Sequence, residues 1–116
     1  MDRCDYLGLT PLHHAAQRGL LHIVTYLVNW GANMYALDND HHSALDLASL
    51  HERVDVVQYL DTVYAQQQSK NPKHVARLKE EALKQAERNV RRYEKLQEEA
   101  ARRAQKEQKK LSSSIR

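Results

Sequence analysis

The side chains best equipped for chemistry in this chain are histidines that arrive in adjacent pairs, His13 with His14 and His41 with His42. Imidazoles bind zinc or move protons near neutral pH, and seven of them in 116 residues make a metal site the first reading to weigh. Neighbouring side chains diverge on a helix or a loop, however, and no Cys/His quartet has the spacing of zinc ligands. The single cysteine, Cys4, has no partner for an internal disulfide, which fits a reducing, cytoplasmic compartment. No Gly-rich phosphate loop, nucleophile elbow or paired carboxylates set for acid–base work occur, so the chain is expected to be non-catalytic, with no metal and no cofactor.

The elements that hold these histidines explain them better. The stretch from Asp5 to Ala16, DYLGLTPLHHAA, returns 33 residues later as DNDHHSALDLAS from Asp38 to Ser49. Asp5 pairs with Asp38, Thr10 with Ser43, Leu12 with Leu45 and Ala15 with Ala48, and further on Ile23 with Val56, Val24 with Val57, Tyr26 with Tyr59 and Leu27 with Leu60. Agreement of this kind at a single offset marks an internal repeat of helix-pair length. Within the first unit Thr10 can cap a helix through its hydroxyl, and Pro11 suits the first helical position, where no amide donor is needed. Gly19 then breaks that helix, Ile23, Val24, Leu27 and Val28 give a second apolar set, and Gly31 suits a left-handed helix end. The second unit has Ser43 and Asp46 as a capping box, but Ala44 replaces Pro11 and Glu52 replaces Gly19.

The segment TPLHHAAQRGLLHIVTYLVNWGAN resembles the ankyrin repeat, and the resemblance covers roughly the first 65 residues. It implies an all-α, ankyrin-type helix-pair solenoid of two repeats within residues 1–68, about 5–37 and 38–68. It also implies that the His13 side chain hydrogen-bonds within its turn and that His14 faces a concave surface. Leu47 aligns with His14 and Leu50 with Gln17, so these four positions, beside a loop tip at Asn39, Asp40 and His41, are the candidate contacts for a protein partner. Two leucines on such a surface need a cover, either a partner segment or the chain's own Val75, Leu78 and Ala82 folding back. Two helix pairs are fewer than such arrays usually need, and MDRCD opens inside the turn that would follow a preceding repeat, so an incomplete and marginally stable folding unit is expected.

Composition sets further limits. With 41% hydrophobic residues, no Phe and one Trp, the chain can form one modest core. It has no apolar run of membrane-spanning length, and its first residues lack the apolar stretch of a signal peptide. The net charge of +3 conceals two unlike parts: residues 1–69 carry three basic and eight acidic side chains, residues 70–116 fifteen basic and seven acidic. Between them AQQQSKNP reads as a linker at 69–71, with Asn71 and Pro72 opening a helix expected over 72–110 and a disordered tail at 111–116. Val75, Leu78, Ala82, Ala86, Val90, Tyr93, Leu96, Ala100 and Ala104 form one stripe at a spacing near 3.6, whereas a strict heptad fails at Gln85, Asn89, Arg92 and Glu99. The helix is therefore amphipathic without being a regular coiled coil, and its distal half is expected to be solvated. Its basic surplus also suits nucleic acid or an anionic membrane, but interleaved acidic residues and a lone aromatic, Tyr93, favour a protein partner.

Taken together, DRCDYLGLTPLHHAA, NWGANMYALDNDHHSALDLAS and NPKHVARLKEEALKQAERNVRRYEKLQ resemble the last ankyrin repeats and the start of the central region of the SANS and harp scaffold proteins. That likeness covers most of the chain. It implies a cytoplasmic, cytoskeleton-associated adaptor connecting harmonin and a MyTH4-FERM myosin in actin-based protrusions.

The two helix starts can be checked directly. Thr10→Ala and Ser43→Ala each remove an oxygen that accepts an orphan amide, so each should lower stability by about 1 kcal/mol, read as a shift in the urea midpoint.

Overall fold

The computed structural model describes the backbone of residues 3–114 and the side chains of residues 3–108. Every regular element among them is a helix: α1 (Pro11–Arg18), α2 (Leu21–Asn29), α3 (Ala44–Leu50), α4 (Val54–Lys70) and α5 (Pro72–Ser114). Helices α1 and α2 form the first repeat and α3 and α4 the second; α1 packs on α3, each pair packs internally, and α2 touches α4.

Each repeat opens the same way. The Asp5 carboxylate accepts the amides of Leu7 and Leu9 at 3.0 and 2.9 Å, and 33 residues on the Asp38 carboxylate accepts those of Asp40 and His42 at 2.9 and 2.8 Å. Each turn then delivers the chain to a capped helix. Thr10 accepts the His13 amide while the His13 ring accepts the Thr10 amide, and Ser43 and Asp46 exchange the corresponding bonds in the second repeat. Gly31, just past α2, adopts φ 87°, and the following amide, that of Ala32, reaches back to the Leu27 carbonyl at 3.0 Å.

The core gathers Leu12, Ala15, Ala16, Val24, Ala44, Ala48, Val56 and Leu60 from the repeats with Val75 and Ala82 from α5. Leu78 packs against this cluster and Ala86 is buried, so the proximal stripe of α5 lies on the repeats. From Leu96 to Gln108 every residue of α5 is exposed. The longest dimension of the molecule, 69 Å, is close to the ~65 Å that 43 residues of α-helix span.

Three boundaries or placements depart from expectation. The linker shrinks to Asn71, because AQQQSK is made of good helix formers and α4 continues through it to Lys70. It stops only where Pro72 forces Asn71 out of the helical region, to φ −140° and ψ 67°. At the other end α5 continues past residue 110 to Ser114, since no Gly or Pro intervenes, so Leu111–Ser114 is helix where a disordered tail was expected. The rest of that tail, Ile115 and Arg116, lies outside the described residues. Finally, Ile23, read with Val24, Leu27 and Val28 as the apolar set of α2, is 47% exposed.

The repeat in backbone shape is more regular than the repeat in residue type. Gly8 and Gly19 adopt φ 80° and 72°, and their equivalents His41 and Glu52 adopt φ 62° and 57° without being glycine. A left-handed residue with a Cβ is strained by about 1–2 kcal/mol, partly offset in glycine by its larger entropy loss on folding. His41→Gly and Glu52→Gly should therefore each raise stability, by up to about 1 kcal/mol. Gly8→Ala should lower it, because a Cβ there would meet Asn39 Oδ1 at 2.7 Å and its backbone nitrogen at 2.9 Å. Thermal melts of the three variants would measure these shifts.

Candidate protein-interaction surface

The first histidine of the opening pair is structural. His13 is 1% exposed. Its Nδ1 accepts the Thr10 amide at 3.1 Å and lies 2.8 Å from the Thr10 hydroxyl, while Nε2 donates to the His42 carbonyl of the next turn at 3.0 Å. Only the neutral ring with its proton on Nε2 satisfies both neighbours. Burial pushes its pKa below the ordinary imidazole value and outweighs the His42 carbonyl and the Asp38 charge, which act in the opposite direction. The second histidine, His14, is part-exposed, with Nε2 3.0 Å from Asp5 Oδ2. Burial raises the Asp5 pKa, but the Leu9 and Leu7 amides and His14 outweigh it and hold the carboxyl below its usual range.

The expected partner contacts separate into two groups. Leu50 is 63% exposed, Asp40 and His41 are exposed, and Gln17 is part-exposed. Leu47, by contrast, is buried. Its equivalent His14 is part-exposed, so Leu47 offers a partner much less surface than the alignment of the two positions implies. Asn39 is also largely structural, since its side-chain amide donates to the Tyr6 carbonyl at 3.0 Å and its backbone amide to the Leu7 carbonyl at 2.9 Å. The stripe of Val75, Leu78 and Ala82 does fold back, but α5 settles on α4 and along the turns of the repeats, leaving Leu50 uncovered.

Beside this surface is a groove of about 620 Å³ between α3, α4 and the loop ahead of the second repeat. Tyr35, Leu37, Leu45 and Tyr64 give it apolar walls, and Asp46, Asp61 and Lys79 stand at its edge. Asp46 and Leu50 are one turn apart on α3, so the groove's α3 wall continues to the exposed leucine. The Tyr64 hydroxyl donates to the Met34 carbonyl, the Tyr35 hydroxyl donates to Gln67 Oε1 at 2.9 Å, and the two rings lie 5.2 Å apart. Burial, with Tyr35 beside it, pushes the Tyr64 pKa well above that of an ordinary phenol, and burial also raises that of Tyr35. Both rings thus remain neutral, hydrogen-bonded walls. Sequence reasoning missed them. The available signal was that Tyr64 continues the Val56, Leu60 spacing of α4.

Metal chemistry has one geometric candidate among the described residues. Asp38, Asp40 and His42 bring three ligand atoms within 4.8 Å of one another. Asp38 Oδ1 already accepts two amides of its own turn, which accounts for the cluster as turn structure.

A family described as ankyrin repeats in three copies matches residues 1–71, more than half of the chain. Among curated proteins, the chain is 56% identical over 41 residues to XBAT34 of Arabidopsis thaliana and 44% identical over 57 residues to XBOS34 of Oryza sativa subsp. japonica, both named as E3 ubiquitin-protein ligases. It is 38% identical over 61 residues to the tyrosine-protein kinase HTK16 of Hydra vulgaris. These matches cover 35%, 49% and 53% of this chain but only 11%, 11% and 8% of the relatives' lengths. No solved structure matches.

The neutral state of His13 has a consequence for pH. Its folded-state pKa lies below the unfolded value of about 6.5. The stability it supports is therefore whole above pH 6.5 and is lost as pH falls through that value toward the folded one. The melting temperature should decline from pH 7.5 to pH 5, and the decline should be smaller in His13→Gln, which starts from a lower stability. An equal slope in the two proteins would assign the titration to another group.

Proposed function

The chain belongs to the ankyrin-repeat family, and on that premise we propose that it is a non-catalytic adaptor that binds a protein segment along α3 and the adjoining groove. The observation that carries this reading is the uncovered Leu50, continuous along α3 with a groove walled by two tyrosines and two leucines and edged by Asp46 and Asp61. An occupant that matches it places apolar side chains in the groove and a basic residue against the aspartates. Gln17, Asp40 and His41 would provide the polar rim, with His14 and Asn39 contributing mainly through the turns they hold. Burying Leu50 and one leucine of the partner stabilises a complex by about 3–6 kcal/mol, more than exposed charge pairs supply.

The finer reading is an adaptor of the SANS and harp kind, in the cytoplasm at actin-based protrusions, with harmonin and a MyTH4-FERM myosin in its assembly. It rests on the sequence likeness quoted above; the three relatives named here are of other kinds. A reading of a different class, a cationic helix for nucleic acid or an anionic membrane, draws on the exposed distal part of α5 with Arg102, Arg103 and Lys106.

Affinity capture with the full chain separates these readings. Leu50→Asp should weaken partner capture at least tenfold, whereas Arg102→Ala with Arg103→Ala should change it little and retain any heparin binding only weakly. Recovery of harmonin or a myosin tail by the unaltered chain supports the finer assignment. Loss of binding in the arginine variant alone, restored at low salt, favours the polyanion reading.

A further inference from the structure

We infer that the proximal half of α5 is a strap that lifts off the repeats as a unit, pivoting at Asn71, and that in its seated position it restrains the groove beside α3. This regulation rests on the reading of that groove as the binding site. The pivot is a single residue. Helix α4 ends at Lys70 and α5 begins at Pro72, so Asn71, at φ −140° and ψ 67°, is the whole connection between them. Rotation there loosens the 3.0 Å bond from the Val75 amide to the Asn71 carbonyl and leaves the later hydrogen bonds of α5 intact.

The seam under the strap has less apolar bulk than the seams within the repeats. The repeats fully bury Leu12, Val24, Val56 and Leu60, whereas the strap buries one valine and two alanines, Val75, Ala82 and Ala86. Two clefts of about 480 and 500 Å³ run beneath it, lined in part by Gln67, Asn71 and His74 and by Gln85, Arg88 and Asn89. Close-packed interiors leave few voids larger than a water molecule, so these clefts mark a loosely filled seam. Charge does not hold it either: among the described residues no ion pair joins α5 to the repeats, although the two parts carry opposite net charge. At the far end Tyr93 meets a Tyr6 that is 69% exposed, and the Asn89 side-chain amide donates to Cys4 Sγ at 3.7 Å. An element with so few buried apolar contacts opens before the body it rests on.

Seating acts on the groove through Lys79, the α5 residue in its lining, which stands there with Asp46 and Asp61. Val75 and Lys79 are one turn apart on α5, so the seat of Val75 fixes where Lys79 stands. Tyr35 lines both the groove and the cleft beneath Val75 and Leu78, so the strap also backs a groove wall. With the strap down, an ammonium group narrows the groove and offsets part of the charge of the two aspartates, which opposes a basic occupant. With the strap lifted, that edge is open and acidic. The coupling is reciprocal, so an occupant of the groove favours the lifted strap.

Cys4 is the only cysteine, and its place beside Asn89 supplies a lock. In Asn89→Cys a disulfide between the two positions holds the strap down, and dithiothreitol releases it. In the reduced full chain, the amides of residues 75–93 should exchange faster than those of α1 and α3 and with a weaker urea dependence, the mark of a local opening. Oxidation should slow residues 75–93 by about tenfold or more and leave the solvated residues 96–108 as they were. Ala82→Glu with Ala86→Glu asks the same question without a disulfide: residues 75–93 should then exchange like 96–108 while α1 and α3 stay protected. A fluorescent peptide of leucines and lysines serves as the probe for the groove. It should bind the oxidised chain about fivefold more weakly than the reduced one, and Lys79→Ala should bind it more tightly. The inference is overturned if residues 75–93 open only together with α1 and α3, or if probe binding that Leu50→Asp abolishes is equal in the two redox states. Probe binding that ignores Leu50→Asp overturns instead the reading of the groove, while the exchange rates still decide whether the strap lifts.

Discussion

The imidazole of His13 joins three things that would otherwise be independent: the cap of α1, the opening turn of the second repeat and the spacing between them. Its two nitrogens face opposite requirements, an acceptor for the Thr10 amide and a donor for the His42 carbonyl. A buried backbone carbonyl without a donor costs as much as a lost hydrogen bond. The ring thus holds the second turn at a fixed distance from α1. That turn is itself organised by Asp38 and leads straight into the Ser43 cap, so the placement of α3 on α1 follows from it.

Two kinds of force then divide the structure. In the repeats, small residues bring helices close: Ala15 and Ala16 of α1 and Ala44 and Ala48 of α3 are buried with Leu12 between them. This favours short helices whose polar ends are satisfied by turns. In α5, length does the work. Its proximal stripe is buried along the turns of both repeats, so one element ties together units that otherwise touch only their neighbours. Its distal stripe has little apolar bulk beyond Leu96, and its charges are held in water by their own hydration. Among the described residues of α5, Glu80 and Lys84 form an i, i+4 ion pair at 3.4 Å; such exposed pairs add little stability.

This arrangement suits binding. The repeat body is acidic and α5 basic, yet they meet mainly through apolar and aromatic contacts, Val75 and Ala82 in the core and Tyr93 on Tyr6. The groove walls are rigid because Tyr35 and Tyr64 are tied by their hydroxyls to Gln67 and Met34. A preformed groove loses less conformational entropy on binding than a mobile one.

The chain's residue pattern was enough to determine the repeat, the Thr10 cap, the Ser43 and Asp46 capping box, the left-handed Gly31 and the amphipathic face of α5, because each depends on residues within a few positions of one another or on a fixed offset. Sequence likeness also placed His13 in its turn. What it left open was which copy of a repeated position is covered. Leu47 and His14, or Val56 and Ile23, are equivalent in the alignment, and only their neighbours make one member buried and the other exposed. The path of α5 across the turns and the pairing of Tyr35 with Tyr64 across about thirty residues were likewise decided by tertiary structure. Burial is a property of what lies on the other side of a residue, and in a stacked array that neighbour belongs to a different repeat.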